Sequence, residues 1–365
     1  MTQTPAQELQ LLRETFADLL RNQVLAESVV AAEAAGLPAD AWRALAAGGF
    51  PWISIDEDRG GSGGTLAEAL ALVPLLGRHA VPLPFTETGL LASWLLAGAG
   101  LPIEVKGHQT ISDAGQHLVV ERVDGNRIRI SGTLPGVPWG ASAASIVAVK
   151  ETGGRSLVLL LPSEGVQVIR RRSLAGEPRD DVVLDGLVLG SGQYAESHLP
   201  DAGRELALRG ALCRGLQIAG ALERISELTV EYAHVREQFG RPIIRFQAIA
   251  HHLARLTEEV ALAGTATGVA AEMYAAGSAG TAETIAMAKI IASRSAGTAA
   301  RLAHQVHGAI GTTREYPLHL FTRRVWSWMD EFGSGAWWSA QLGARITEQD
   351  PARHWDIVTL GLRRP

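Results

Sequence analysis

The chain has 365 residues, 47% of them hydrophobic and 19% charged, with a formal net charge of −5 at pH 7. This length is enough to bury a large core and to form two or three subdomains, and the negative charge argues against nucleic acid as the main partner. The single cysteine, Cys213, excludes a disulfide framework and a cysteine metal cluster.

The N-terminal stretch, residues 1–25, lacks the basic start and the apolar core of a signal peptide. The longest apolar stretches, such as residues 90–101, are too short and too interrupted by glycine to cross a membrane. We therefore expect a cytoplasmic protein that has no membrane segment.

Residues 1–105 are predicted to form an N-terminal helical domain, because apolar residues recur every three to four positions. The predicted helices cover residues 9–20, 24–35, 42–47 and 66–76. A glycine-rich loop at residues 60–64 precedes the last of these helices, which invites comparison with a phosphate-binding loop. Its spacing does not match the dinucleotide pattern and it has no P-loop lysine, so a tight turn is favoured over a phosphate site.

The hydrophobic period changes to that of strands from about residue 109 to residue 190, and we assign residues 106–200 to a middle β-domain. The predicted strands cover residues 117–121, 127–131, 145–150, 156–161, 166–169 and 181–189. Strands of this length and spacing are typical of a small β-barrel or sandwich. Residues 135–140 contain two prolines and two glycines, are unsuited to a central strand, and are predicted to form a loop that presents the ring of Trp139.

The C-terminal domain, residues 201–365, returns to the helical period. Its long predicted helices cover residues 205–238, 243–277 and 281–307, and shorter ones follow. An N-terminal helical domain, a β-domain and a C-terminal helical bundle together indicate an α+β fold class.

A polar corner lies between the first two of these long helices. Gly240 is suited to end the first helix, and Pro242 is suited to begin the next one. The corner carries Arg236 and Arg241, and a pair of guanidinium groups at such a place is suited to bidentate contact with phosphate or carboxylate. The alternative is a pair of surface arginines that cap a helix.

A second polar segment begins at Gln305, where the third long helix ends. Gly308 and Gly311 allow close approach of a ligand to the backbone, and Gln305 and His307 can hydrogen-bond it. The alternative is a helix-capping turn. His304 and His307 have the spacing of metal ligands, but no acidic or cysteine side chain accompanies them, so we expect no metal site.

Two motifs, in the expected order and separation, resemble those of the acyl-CoA dehydrogenase family. The central motif is matched by residues 236–242 with Phe246 and Gln247, and the C-terminal motif by residues 305–311 and 315–317. The N-terminal pattern of the family is matched by Gly49-Phe50, Asp58, Gly60-Gly61 and residues 76–78. The resemblance therefore covers nearly the full length of the chain.

This resemblance implies a C-terminal four-helix bundle, assembly into dimers or tetramers, and FAD as the cofactor at a subunit interface. Arg236 and Gln238 are implied to contact the FAD diphosphate, with Phe239 beside the cofactor. Gln305, Gly308 and Gly311 are implied to approach the ADP part of an FAD molecule that is bound mainly by a neighbouring subunit. The further residues assigned to the cofactor are Gln247, His307, Gly308, Gly311, Ser334 in the place of a threonine, and Trp139 near the flavin ring.

The resemblance also implies oxidation of an acyl-CoA thioester to an α,β-enoyl-CoA, with electrons passed to an electron-transfer flavoprotein. In the family a carboxylate removes the weakly acidic α-proton. Alignment puts Phe332 and Gly210 at its two usual positions, and neither residue can accept a proton. Either Glu331, one residue earlier, is the catalytic base, with Asp330 and Glu205 as weaker candidates, or a related partner subunit in a heterotetramer supplies the base.

Overall fold

The computed structural model describes residues 4–105, 107–199 and 201–348. N-terminal helices, central β-sheets and C-terminal helices follow one another along the chain, so the predicted α+β fold class is confirmed. The three domain boundaries stay a prediction. The chain divides into two compact units: unit 1 contains Met1–Ala69 and Pro82–Arg209, and unit 2 contains Leu70–Val81 and Gly210–Pro365.

The helical part of unit 1 begins with a capped helix. The backbone N–H of Gln7 donates to the Thr4 hydroxyl at 3.4 Å, and the Thr4 N–H donates to Gln7 Oε1 at 2.8 Å. Pro5 follows at the first helical position, where its missing N–H costs no hydrogen bond. The helices are α1 (Pro5–Gln23), α2 (Ala26–Ala35), α3 (Ala39–Ala47), α4 (Leu66–Arg78, which enters unit 2 at Leu70), a π-helix (Thr86–Ser93) and α5 (Trp94–Gly98).

The glycine-rich loop at residues 60–64 is a tight turn, as predicted. Gly61 N–H donates to the Asp56 carbonyl at 3.0 Å, and Gly63 N–H donates to the Ile55 carbonyl at 2.9 Å. A Cβ at Gly61 would overlap the Ile55 carbonyl, so only glycine allows this approach. Both N–H groups are bound by the chain itself rather than by a phosphate.

The β-part of unit 1 contains the strands β1 (Gln109–Ser112), β2 (Leu118–Asp124), β3 (Arg127–Pro138), β4 (Ser145–Thr152), β5 (Arg155–Pro162), β6 (Gln167–Ile169), β7 (Arg179–Leu189) and β8 (Tyr194–Glu196). They form two four-stranded sheets, ordered β1-β4-β5-β8 and β2-β3-β7-β6. Ile146 and Leu159 of the first sheet and Ile130 and Val182 of the second belong to one buried cluster. The two sheets therefore share one core, which is the arrangement of a small sandwich.

The prediction of a loop at residues 135–140 is wrong. Strand β3 continues to Pro138 and is an inner strand of its sheet. Its register against β7 shifts between Leu134 and Val137, and the proline and glycine between them lie in this bulge. A bulge leaves residues out of the hydrogen-bond ladder, so the missing N–H of proline is not lost from the sheet. Trp139, just beyond the strand, is only 3% exposed, so its ring is buried rather than presented.

Unit 2 is mainly helical. Its elements are α6 (Ala202–Val235, within unit 2 from Gly210), β9 (Glu237–Gln238), β10 (Arg241–Pro242), α7 (Gln247–Ala275), α8 (Thr281–His307), α9 (Leu318–Trp328) and α10 (Gly335–Thr347). The predicted bounds of α8 are confirmed. The helix is flanked by Gly280 and Gly308, and the positive φ of both glycines accounts for where it begins and ends. The predicted end of α6 at residue 238 is wrong, because the helix ends at Val235 and Glu237–Gln238 form β9. Within the described ranges, no helix is long and apolar enough to cross a membrane.

Candidate functional site

The corner between α6 and α7 is a short hairpin. Strand β9 pairs antiparallel with β10, so that Gln238 lies opposite Arg241. The two residues between them, Phe239 and Gly240, have φ angles of +51° and +77°. A two-residue hairpin turn requires this left-handed backbone. The turn leaves the Phe239 side chain 92% exposed, which is exceptional for a large apolar residue.

The end of α8 meets this corner, so the two motifs singled out in the sequence lie together within unit 2. They enclose an open cavity of about 400 Å³. Six of the residues assigned to the cofactor line it: Arg236, Gln238, Phe239, Gln305, His307 and Gly308. The other lining residues are Tyr232, Ile243, Phe246, Ile249, Val306 and Ala309.

The polar side of the cavity fits a diphosphate. The guanidinium of Arg236 and the side-chain amides of Gln238 and Gln305 all supply N–H donors. None of the described residues that line the cavity is acidic. Gly308 has a φ of +64°, and the space that a Cβ would occupy there is open, so a ligand can approach the backbone. The residues present therefore suit the FAD diphosphate that the sequence resemblance implies.

Aromatic neighbours hold His307 at the cavity wall. Its ring stacks on Tyr232 with centroids 4.6 Å apart, and its centroid lies 4.8 Å from that of Tyr316. His307 Nδ1 donates to the Ala303 carbonyl at 2.8 Å, and the Tyr316 hydroxyl donates to the Leu228 carbonyl at 3.1 Å. Burial lowers the pKa of His307 below its usual value, so its ring is neutral at pH 7.

Sequence reasoning missed the apolar wall of the cavity as a ligand contact. Tyr232 and Ile249 fall within predicted helices and were not assigned to a ligand, yet both line the cavity together with Phe246 of the central motif. Tyr232 precedes Arg236 by four residues, and the Arg236 N–H donates to the Tyr232 carbonyl at 2.9 Å, which places both on one side of the C-terminal end of α6. That spacing is the signal by which Tyr232 could have been found.

Four residues assigned to the cofactor lie outside the described set that lines this cavity. Gln247 begins α7 and is exposed. Gly311 is buried, and a Cβ there would lie 2.8 Å from the Cβ of His307, so packing accounts for this glycine. Ser334 caps α10 by accepting the Trp337 N–H at 3.2 Å, and Trp139 belongs to unit 1. Their cofactor contacts stay predictions.

The two family positions for the base lie against each other in unit 2. Phe332 is 8% exposed and has a φ of +53°, a left-handed backbone that is uncommon for a bulky residue. Its ring packs on Gly210 so closely that a Cβ at Gly210 would overlap the ring carbons. A side chain at residue 210 and the ring of Phe332 therefore exclude each other.

Glu331, the candidate base, is bound by a buried arginine. Arg214 Nε donates to Glu331 Oε2 at 2.6 Å; Arg214 is 2% exposed and Glu331 is 20% exposed. Arg214 Nη1 also donates to Gln217 Oε1 at 2.5 Å. An adjacent guanidinium favours the ionised carboxylate and so opposes its protonation. Of the weaker candidates, Asp330 is exposed and Glu205 lies in the first turn of α6, in unit 1. Catalysis by any of these acids stays a prediction.

Comparison with known proteins agrees with the motifs. Residues 6–102 match the N-terminal domain of acyl-CoA dehydrogenases, and residues 205–335 match the C-terminal domain. The acyl-CoA dehydrogenase IpdE2 of Mycobacterium tuberculosis is 31% identical over 325 residues, which cover 88% of this chain and 92% of the relative.

Two solved structures share the fold. The ChsE4-ChsE5 complex from Mycobacterium tuberculosis aligns with a TM-score of 0.86 at 23% identity, covering 96% of this chain and 99% of the other. The Tcur3481-Tcur3483 steroid ACAD aligns with a TM-score of 0.85 at 22% identity, covering 94% and 99%. The two matched domains and the identity to IpdE2 show that the chain belongs to the acyl-CoA dehydrogenase family of flavin oxidoreductases, whose cofactor is FAD.

Proposed function

We propose that this chain is one subunit of an FAD-dependent acyl-CoA dehydrogenase whose catalytic base comes from a related partner subunit. The assembly converts an acyl-CoA thioester into an α,β-enoyl-CoA and passes the electrons to an electron-transfer flavoprotein. The observation that carries this proposal is the contact between the ring of Phe332 and Gly210. Both family positions for the carboxylate are then filled by groups that cannot take a proton.

The contribution of this chain is the corner cavity. FAD, when bound, accepts the β-hydride of the acyl group. Arg236 and Gln238 from the hairpin, and Gln305 and Gly308 from the end of α8, would hold its diphosphate. A guanidinium with several N–H groups binds such an anion through short, charge-assisted hydrogen bonds. The hairpin and the helix end position these donors before the ligand arrives, which lowers the entropic cost of binding.

Relatives support a two-component assembly. The ChsE4-ChsE5 complex and the Tcur3481-Tcur3483 steroid ACAD each combine two differently named proteins, and this chain shares their fold over nearly its whole length. In such an assembly one chain can keep the cofactor contacts while the other supplies the base. We therefore propose a heterotetramer with a related subunit over a homotetramer.

A self-sufficient dehydrogenase with Glu331 as its base is the second candidate. Glu331 directly precedes Phe332 and keeps 20% of its side chain exposed, so a carboxylate lies one residue from the family position. Its ion pair with Arg214 must break or rearrange before it can take a proton. This requirement is why we rank the single-chain enzyme second.

Flavin reduction by acyl-CoA separates the two candidates. The isolated chain is loaded with FAD and treated with a panel of saturated acyl-CoAs, and the flavin absorbance is followed without an added electron acceptor. We expect no bleaching from the isolated chain and bleaching after co-expression with a related family member. The complex that carries Glu331→Gln should still bleach. Bleaching by the isolated chain that disappears in Glu331→Gln would instead establish Glu331 as the base.

A further inference from the structure

The turn at residues 329–333, which carries Glu331 and Phe332, is bound from one side by a buried lysine. Lys289 of α8 is 1% exposed, and its Nζ donates to the carbonyl of Trp328 at 2.8 Å and to that of Met329 at 3.1 Å. These carbonyls end α9, where a cation is favoured by the helix dipole and by the unpaired oxygens. Lys289 therefore fixes the start of the turn.

Arg214 of α6 binds the same turn through Glu331. A guanidinium this deeply buried is costly unless a counter-charge accompanies it. The charge of Lys289 is favoured by Glu331 and Asp330 and disfavoured by Arg214. Arg214 Nε donates directly to the Glu331 carboxylate. Glu331 and Arg214 therefore compensate each other.

Arg214 also reaches the neighbouring ring. The guanidinium carbon of Arg214 lies 5.7 Å from the ring centroid of Phe332, and Phe332 is the residue with a left-handed backbone. Trp338 Nε1 donates to the Phe332 carbonyl at 3.0 Å and holds the other side of the turn. A left-handed bulky residue persists only when its surroundings determine it strongly. The contacts of Arg214 and Trp338 with Phe332 stabilise this backbone conformation and keep the ring on Gly210.

We infer that Arg214 is a positioning residue that keeps Glu331 as an ionised structural carboxylate and thereby holds Phe332 on Gly210. The inference rests on the proposed function, because it gives Glu331 a task other than catalysis. Arg214 thus opposes protonation of the carboxylate that directly precedes Phe332. The same ion pair accounts for the partly buried charge of Glu331 in this turn.

Titration of the Glu331 carboxyl carbon by NMR tests this inference. Glutamate is labelled at that carbon, and the Glu331 resonance is assigned by its absence in Glu331→Gln. In the wild type we expect the midpoint well below the ordinary glutamate value of about 4.3. Arg214→Met should raise the midpoint by at least about one pH unit, which is a tenfold gain in proton affinity. Arg214→Lys, which restores a cation, should return part of the shift.

The matched control is Arg224→Met on the same helix. Arg224 pairs with Glu227 at 3.0 Å but is one-third exposed, and it should leave the Glu331 midpoint unchanged. A wild-type midpoint at or above about 4.3, or an equal midpoint in Arg214→Met, would overturn the inference. The wild-type measurement decides even if Arg214→Met does not fold. Acyl-CoA bleaching of the isolated chain overturns the proposed function instead, and the two measurements can fail separately.

Discussion

Two arginine sites in unit 2 differ in where their charge is directed. At the corner, Arg236 and Gln238 are exposed and line an open cavity. At the 329–333 turn, Arg214 is 2% exposed and donates hydrogen bonds to Glu331 and Gln217. The first site has donors directed at a ligand, whereas the second has its charges satisfied by the chain.

This difference separates binding from architecture. An exposed group in a preformed cavity contributes little to folding and can give its hydrogen bonds to a cofactor. A buried ion pair behaves in the opposite way, because removing one partner leaves the other charged and desolvated. Substitutions at the corner should therefore change FAD affinity, and substitutions at the turn should change stability.

The largest expected effect is on the turn. Arg214→Met should lower the free energy of unfolding by about 3 kcal/mol, because Glu331 loses its counter-charge and Gln217 loses its donor. Arg224→Met, which removes an ion pair about one-third exposed on the same helix, should cost less than about 1 kcal/mol. Chemical denaturation measures both. Equal losses in the two variants would remove the distinction between buried and exposed arginine sites.

Lys289, which binds the turn, should make the free energy of unfolding depend on pH. Burial lowers the pKa of Lys289 from its ordinary value of 10.5 to about 7. Between these values the unfolded chain keeps the proton that the native chain has released, so stability rises with pH in this window and is flat below it. The free energy of unfolding of the wild type, measured relative to that of Lys289→Met, should rise by up to about 1.4 kcal/mol per pH unit from pH 7.5 to 9.5. A pH-independent difference in denaturation midpoints would contradict this.

The corner should respond in affinity rather than in stability. Arg236→Ala removes a charge-assisted donor from the diphosphate wall and should weaken FAD binding about tenfold or more. Arg245→Ala, at an exposed residue of the same corner outside the lining set, is the matched control. Fluorescence titration of the apoprotein with FAD gives both affinities. Unchanged affinity in Arg236→Ala would remove the diphosphate assignment of this wall.

The smallest expected effect on stability is at Phe239. Phe239→Ala deletes a ring that is 92% exposed, so the free energy of unfolding should change by less than about 0.5 kcal/mol. Affinity for FAD should still fall, because this ring lines the cavity. Thermal unfolding with and without FAD shows both results. A large loss of stability without FAD would mean that Phe239 packs on the chain itself.

Local pattern was sufficient for parts of the fold and of the site. Helix α8 has the predicted bounds because its period of 3.6 residues runs between two glycines that can adopt positive φ. The six residues that line the cavity and that the resemblance assigns to the cofactor lie in two short motifs, which fold locally as a helix end and a hairpin. The same local rules gave the wrong loop at residues 135–140. Proline predicted an interruption of the strand, although β3 accommodates Pro135 in a bulge opposite β7.

The sequence by itself determined the fold class, the family and the polar side of the corner cavity, because these depend on period, glycine placement and contiguous motifs. Only the tertiary structure decided the state of Glu331 and Phe332. Arg214 lies 117 residues before its partner Glu331, and a lone arginine in a helix carries no local sign of burial. Gly210 and Phe332 likewise gain their meaning from contact. The environment of a charge is set by what packs around it, and that packing joins segments that are distant in the chain.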